Sequence, residues 1–226
     1  MRFTKASLTN ANLIKKSFKL LIKKGFKLLS LTIATILALA ILAVSKSVYS
    51  TYISEGMSFY KLGYYDKAIE NFSSALNLNP NDPLPYRMIG LSYYRKSNYD
   101  EALRYLTISL ALEGENTITL SIIGNIYYSQ KKYNNAALVY ERLFNKENNS
   151  FLAFRLVKSF IKVGKYKEAV EYGEKALSSN ISWDTIDKKT FIATLREAYI
   201  KYASYLEKNG KKEEAKAYIE KAKKLN

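Results

Sequence analysis

Residues 86–106 read YRMIGLSYYRKSNYDEALRYL. Two patterns of helical period lie on either side of Ser97-Asn98, a pair suited to a turn, and Asp100 follows where an acid suits the first turn of a new helix. Each pattern is broken by one small residue, Gly90 before the turn and Ala102 after it, with Tyr86, Ile89, Tyr93 and Leu106 placed around them. Small positions let two helices approach and large ones fill the space between them, so the stretch reads as a helical hairpin.

The hairpin recurs with a period of 34 residues, and a period of that size marks stacked supersecondary units. Before it stand Tyr52, Glu55, Gly56, Phe59, Ala68, Phe72, Ala75 and Pro80; after it stand Leu120, Ile123, Gly124, Tyr127, Ala136 and Tyr140. The turn also returns, as Gly63 to Ala68, Lys131 to Ala136 and Gly164 to Ala169, and its Tyr65, Tyr99, Tyr133 and Tyr166 are expected to pack. A fourth unit is one residue shorter, with Phe160, Tyr166, Ala169 and Ala176 in place. There Val157 stands where the others have Gly, and Gly173 where they have a large residue. A fifth, more divergent unit keeps Tyr199, Ala203, Leu206, Gly210, Ala215, Ile219 and Ala222.

These residues resemble the tetratricopeptide-repeat family, whose pattern is W-x₂-L-G-x₂-Y, then A-x₃-F, then P. The resemblance implies an all-α fold: a right-handed superhelical array of about five hairpins, at residues 49–82, 83–116, 117–149, 150–180 and 183–226. Ala169 and Ala215 lie 46 residues apart, twelve more than one period. The surplus holds the only Trp. Trp183, Ile186, Phe191, Leu195, Tyr199, Tyr202 and Leu206 keep helical spacing, which predicts a lengthened helix with Ser182 as N-cap; the alternative makes Trp183 an exposed anchor for a partner. The last helix, from about Lys211, carries six lysines around Ala215, Ile219 and Ala222, as a solubilising cap on the stack requires.

Composition narrows the chemistry. The chain has no cysteine and no histidine, which removes disulfides, thiol nucleophiles, Ser-His-Asp hydrolysis and histidine-ligated metals. No spacing of carboxylates or lysines nominates a catalytic pair, since Asp100-Glu101 and Glu213-Glu214 fall where acids suit a helix start. The expectation is a non-enzyme without cofactor or metal.

The net charge of +16 is unevenly spread. Arg2, Lys5, Lys15, Lys16, Lys19, Lys23, Lys24 and Lys27 precede any acid, and the remaining 28 bases are interleaved with all 20 acids. Next comes Leu28 to Val44, LLSLTIATILALAILAV, which has no charge and makes roughly 26 Å of helix, the lower limit for a membrane span. The layout read from this is a basic cytoplasmic tail at 1–27, a transmembrane anchor or uncleaved signal at 28–45, and the array at 48–226. The bases ahead of the span place the tail in the cytoplasm and the array across an inner membrane. Residues 13–24 separate Ile14, Phe18, Leu21 and Ile22 from the lysines, as an interfacial helix would, so anionic lipid is expected near Lys15, Lys16, Lys19, Lys23 and Lys24; a plain solvated tail is the alternative. Ala43-Val44-Ser45 also offers a signal-peptidase site.

The family resemblance further implies a concave groove lined by the first helix of each unit. Its positions here are Ile53, Met57, Tyr60 and Lys61; Arg87, Leu91, Tyr94 and Arg95; Ser121, Asn125, Tyr128 and Ser129; and Phe154, Lys158, Ile161 and Lys162. Tyr and Arg dominate binding hot spots, so a peptide with apolar anchors and acidic character is expected, unless Tyr60, Tyr94 and Tyr128 only pack between neighbouring first helices. Ile53 and Met57 replace the Lys and Asn with which one sub-class grips a chaperone's C-terminal carboxylate, which disfavours that ligand. The function read from the sequence is a membrane-tethered, non-catalytic scaffold for protein or peptide partners in envelope assembly or secretion. The alternative is a secreted or surface-anchored basic module binding polyanions or nucleic acid, which the absence of a nucleic-acid module disfavours.

Overall fold

Asx residues start the first helix of each later hairpin. Side-chain oxygens of Asp82, Asn116, Asn149 and Asp187 accept from the backbone N–H of Leu84, Thr119, Leu152 and Thr190 at 2.8, 3.0, 3.0 and 3.1 Å, satisfying donors that a helix N-terminus leaves free. A computed structural model of the chain describes residues 5–225, and side chains for 16–21 and 23–225. Arg2 lies outside the described residues, as do the side chains of Lys5, Ile14, Lys15 and Ile22.

The described residues form α1 (Lys5–Lys61), α2 (Tyr65–Leu78), α3 (Pro83–Arg95), α4 (Tyr99–Glu113), α5 (Thr117–Ser129), α6 (Tyr133–Lys146), α7 (Ser150–Lys162), α8 (Tyr166–Ser178), α9 (Lys188–Lys208) and α10 (Lys212–Lys224). The chain divides into two compact units, one up to Ser54 and one from Glu55 onward.

In the first unit the apolar residues from Leu28 to Val44 are exposed on every face of the helix, between 57% and 67% for Leu28, Leu29, Leu31, Ile33, Ile36, Leu37, Leu39, Ile41, Leu42 and Val44. Among the described residues this is the one helix long and apolar enough to cross a membrane.

The second unit is an all-helical solenoid in which each helix packs on its neighbours in the chain, with α7 also meeting α9. The glycines predicted to admit a neighbour do so. A Cβ on Gly56 would lie 2.7 Å from the Phe72 ring, one on Gly90 2.7 Å from Leu106, and one on Gly124 2.8 Å from the Tyr140 ring. Phe72, Leu106 and Tyr140 are fully buried there, each contributing about 1.5–3 kcal/mol by leaving water. The fourth hairpin exchanges the sizes: Val157 is fully buried in α7, and the space beside Gly173 in α8 is taken by Leu195 of α9, 2.5 Å from where a Cβ would stand.

Every hairpin turn contains one left-handed residue: Gly63, Ser97, Lys131, Gly164 and Gly210, with φ of 82°, 61°, 60°, 77° and 79°. Ser97 and Lys131 carry a Cβ into a region that costs it about 1–2 kcal/mol. Lys131→Gly is therefore expected to stabilise the protein by about 1 kcal/mol, read as a raised urea midpoint at unchanged slope.

The segment before α9 departs from the expected lengthened helix. Ser182 is not the N-cap, and Trp183 and Ile186 are not helical; α9 begins at Lys188 behind Asp187. The Ser182 hydroxyl is bonded to the Asp184 carboxylate instead of to a helix N–H. Ile181, 6% exposed, is drawn into the core. Trp183 packs on Phe191 with ring centroids 4.9 Å apart, so it fastens this segment and is not a free-standing anchor.

Candidate peptide-binding groove

The first helices of the hairpins present a run of tyrosines, each held by the turn that follows it. Tyr60, Tyr94 and Tyr128 meet Tyr65, Tyr99 and Tyr133 of their own hairpins, with ring centroids 5.7, 6.2 and 5.1 Å apart. Tyr60 and Tyr128 also reach the next first helix, through Arg95 and Arg155 respectively. All three tyrosines are half-buried, so each keeps surface for contact while its ring is fixed.

The bases expected in the groove differ in availability. Arg95 is exposed and donates from Nε to Tyr60 Oη at 3.2 Å, which joins the first two hairpins; that bond raises the Arg95 pKa further above its ordinary value. Arg87 is committed internally. Its guanidinium lies 2.7 Å from Glu113, and Glu113 also accepts from Ser109 at 3.0 Å and Asn116 at 3.3 Å. Lys158 lies over the Phe154 ring at 4.7 Å from its centroid, while Lys61 and Lys162 are exposed.

Met57 and Leu91 are half-buried, Leu91 against the Ile122, Ile123 and Ile126 cluster. Asn125 Oδ1 accepts from the Tyr140 hydroxyl at 2.8 Å, which supplies the polar partner that a fully buried tyrosine needs; burial pushes the Tyr140 hydroxyl well above its usual pKa. Ile161, expected to line the groove, is 8% exposed and belongs to the core. Ile53 belongs to the first unit, whereas the other groove positions belong to the second. Ser121 is half-buried and Ser129 exposed.

One residue went unnoticed in the sequence. Arg155 of α7 places its guanidinium 5.0 Å from the Tyr128 ring centroid and 5.4 Å from that of Phe151. Its Nε is buried without a hydrogen-bond partner, and among the described residues its guanidinium is in no ion pair. The signal was present in register: the equivalent position of the second and third hairpins holds Met88, 6% exposed, and Ile122, 9% exposed. Arg155 is half-buried, a cation in a column otherwise held by apolar residues, and a guanidinium binds a carboxylate through charge-assisted hydrogen bonds.

Comparisons with known proteins agree with this architecture. A family profile described as TPR repeat matches residues 56–97, and two described as tetratricopeptide repeat match 87–150 and 197–226. No curated protein sequence matches the chain. Among solved structures, MamA of AMB-1 in a P212121 crystal is 22% identical, with 78% of this chain and 91% of that chain covered at a TM-score of 0.59. MamA of MSR-1 is 21% identical over 78% and 95%, with a TM-score of 0.57. YrrB, described as a TPR protein with an unusual peptide-binding site, is 16% identical over 77% and 84%, also at 0.57. Repeat profiles over three separate segments, on a solenoid whose glycines and turns keep one register, show that the chain belongs to the tetratricopeptide-repeat family.

Proposed function

We propose that this protein is a non-catalytic scaffold, held at a membrane by Leu28–Val44, that binds protein or peptide partners along the first helices of its repeats. Tetratricopeptide-repeat proteins act as protein–protein interaction scaffolds. The domain plan is a cytoplasmic tail at 1–27, an anchor at 28–45 and an extracytoplasmic array at 48–226, serving envelope assembly or secretion. The bases ahead of the apolar run support that orientation, and Lys16, Lys19, Lys23 and Lys24, with Lys15 beside them, each add on the order of 1 kcal/mol near an anionic leaflet. Tethering confines the array near the surface, so partner capture becomes partly intramolecular and a modest groove suffices.

The binding surface is formed by Met57, Tyr60, Lys61, Leu91, Tyr94, Arg95, Tyr128, Phe154 and Lys158, with Arg87 and Asn125 as supporting positions. The observation that carries the reading is Arg155, unpaired between two aromatic rings. A carboxylate on a partner satisfies it, and the surrounding rings take apolar side chains.

The test uses the full chain in lipid nanodiscs and a labelled peptide of alternating phenylalanine and glutamate, read by anisotropy. Arg155→Ala is expected to weaken binding about 10- to 100-fold, since a hydrogen bond to a charged group is worth roughly 1.5–3 kcal/mol. Arg155→Lys recovers only part of it, because a point charge does not reproduce the planar fork. Equal affinity of native and Arg155→Ala protein sinks the proposal.

A further inference from the structure

The extra residues before α9 are not a slack connection. Residues 179–187 are fixed through Ile181 in the core, through Trp183 on Phe191, and through a 2.9 Å hydrogen bond between the hydroxyls of Thr185 and Ser150 at the start of α7. Lys188 Nζ covers the Trp183 ring at 5.9 Å. A hairpin of ordinary length does not require such a segment, and this one is built against the beginnings of α5 and α7.

Between it and those helix starts lies a cavity of about 510 Å³, within the roughly 300–1,000 Å³ of ligand pockets. Ile118, Ile122, Phe151 and Leu152 form its apolar wall, and Ser182, Asp184 and Thr185 of the inserted segment close it on the other side. Ile118 is 67% exposed at the rim of this wall, while Ile122 and Leu152 are buried at its base.

The charge of the cavity is opposite to that of the protein. In a chain with 36 bases and 20 acids, the charged side chains lining it are Glu147 and Asp184. Other acids of the array are occupied: Glu113 by Arg87, Glu115 by Arg142, Glu141 by Tyr172 and Glu174 by Lys221. Among the described residues neither Glu147 nor Asp184 is in an ion pair, and Asp184 accepts only the Ser182 hydroxyl.

We propose that the inserted segment makes this cavity a second recognition pocket, which takes an apolar side chain of a peptide partner with an adjacent lysine or arginine. The proposal rests on the peptide-binding reading above and adds to it. Phe151 both lines the pocket and stacks on Arg155, so one extended peptide places a carboxylate on Arg155 and, a few residues away, an apolar residue with its cation between Glu147 and Asp184. The pocket supplies a preference that the basic groove alone lacks.

The experiment compares two labelled peptides, acetyl-Gly-Leu-Leu-Lys-Gly-amide and the same sequence with glutamate for lysine, on the full chain in nanodiscs. The lysine peptide is expected to bind about tenfold more tightly, as two partly exposed ion pairs provide. The double variant Glu147→Gln, Asp184→Asn should lower that preference below about twofold. Ile118→Ser, a change at an exposed side chain, should weaken both peptides alike. The proposal is overturned by equal binding of the two peptides or by a preference that survives the double substitution. The phenylalanine–glutamate peptide and Arg155→Ala are measured alongside. If that peptide still depends on Arg155 while the lysine preference is missing, the pocket falls and the groove stands; if neither peptide binds, both fall.

Discussion

Lysine in place of Leu37 is expected to release the chain from membranes, turning a carbonate-resistant pellet protein into one found in the supernatant. Leu37 lies near the middle of a run whose seventeen residues include ten Leu, Ile and Val. On an insertion scale each of these contributes roughly −0.3 to −0.6 kcal/mol, or about −3 to −6 kcal/mol together, whereas one lysine at the centre costs roughly 2.5–3.5 kcal/mol and also removes a leucine. The run is at the lower length limit for a span, so it has no reserve over which to shift the charge toward an interface. Carbonate extraction and blotting of native and Leu37→Lys protein measure the effect. Native protein that is already soluble would overturn the proposed tether while leaving the repeat array untouched.

Tyr140→Ala is expected to cost about 3–5 kcal/mol, the range for removing a large, fully buried aromatic side chain. Two losses combine. The ring fills the space beside Gly124, and its hydroxyl satisfies Asn125. Tyr140→Phe separates them, keeping the ring and costing about 1 kcal/mol for the hydrogen bond. Because a solenoid's units touch only their neighbours, the loss should be concentrated in α5, α6 and α7. Hydrogen exchange on the full chain checks this: faster exchange there, with the amides of α10 much less affected, is the expected pattern. Uniform acceleration throughout the array would mean that the hairpins are coupled far more tightly than their contacts imply.

What was legible in the sequence followed from repetition. Gly56, Gly90 and Gly124 announce close helix approaches because a small residue at a fixed period has few other uses, and the partners Phe72, Leu106 and Tyr140 are equally periodic. The recurrence of Tyr60, Tyr94 and Tyr128 was equally visible, whereas their assignment to a groove came from the family resemblance. What was missed lies where the period fails. Residues 179–187 have no counterpart in other hairpins, and apolar spacing alone extended the helix to Ser182, although the Asp187 carboxylate supplies the cap and Ile181 and Trp183 take a different route into the core. Arg155 was missed because its meaning depends on Tyr128 and Phe151, one on the preceding first helix and one a turn away on its own. The internal pairing of Arg87 with Glu113 was likewise unreadable, since a charged side chain's partner across a hairpin leaves no periodic trace.

The contacts that join successive hairpins bear on how such an array changes its length. The Lys96 ammonium reaches Asp66, and Gln130 Nε2 donates to Asp100 Oδ1 at 3.1 Å, both across an offset of thirty residues. Donor and acceptor thus occupy fixed addresses, one near the end of a first helix and the other at the start of the preceding second helix. A duplicate of residues 83–116 spliced in after the original finds both neighbours already matched: its copy of Lys96 meets Asp100, and its copy of Asp100 meets Gln130. The series stops at the next step, where Val163 stands in place of a donor. Duplication or deletion of whole hairpins is therefore expected to keep these contacts matched ahead of the fourth unit, whereas the last two, with their exchanged Val157 and Gly173 and their inserted segment, are expected to change only together.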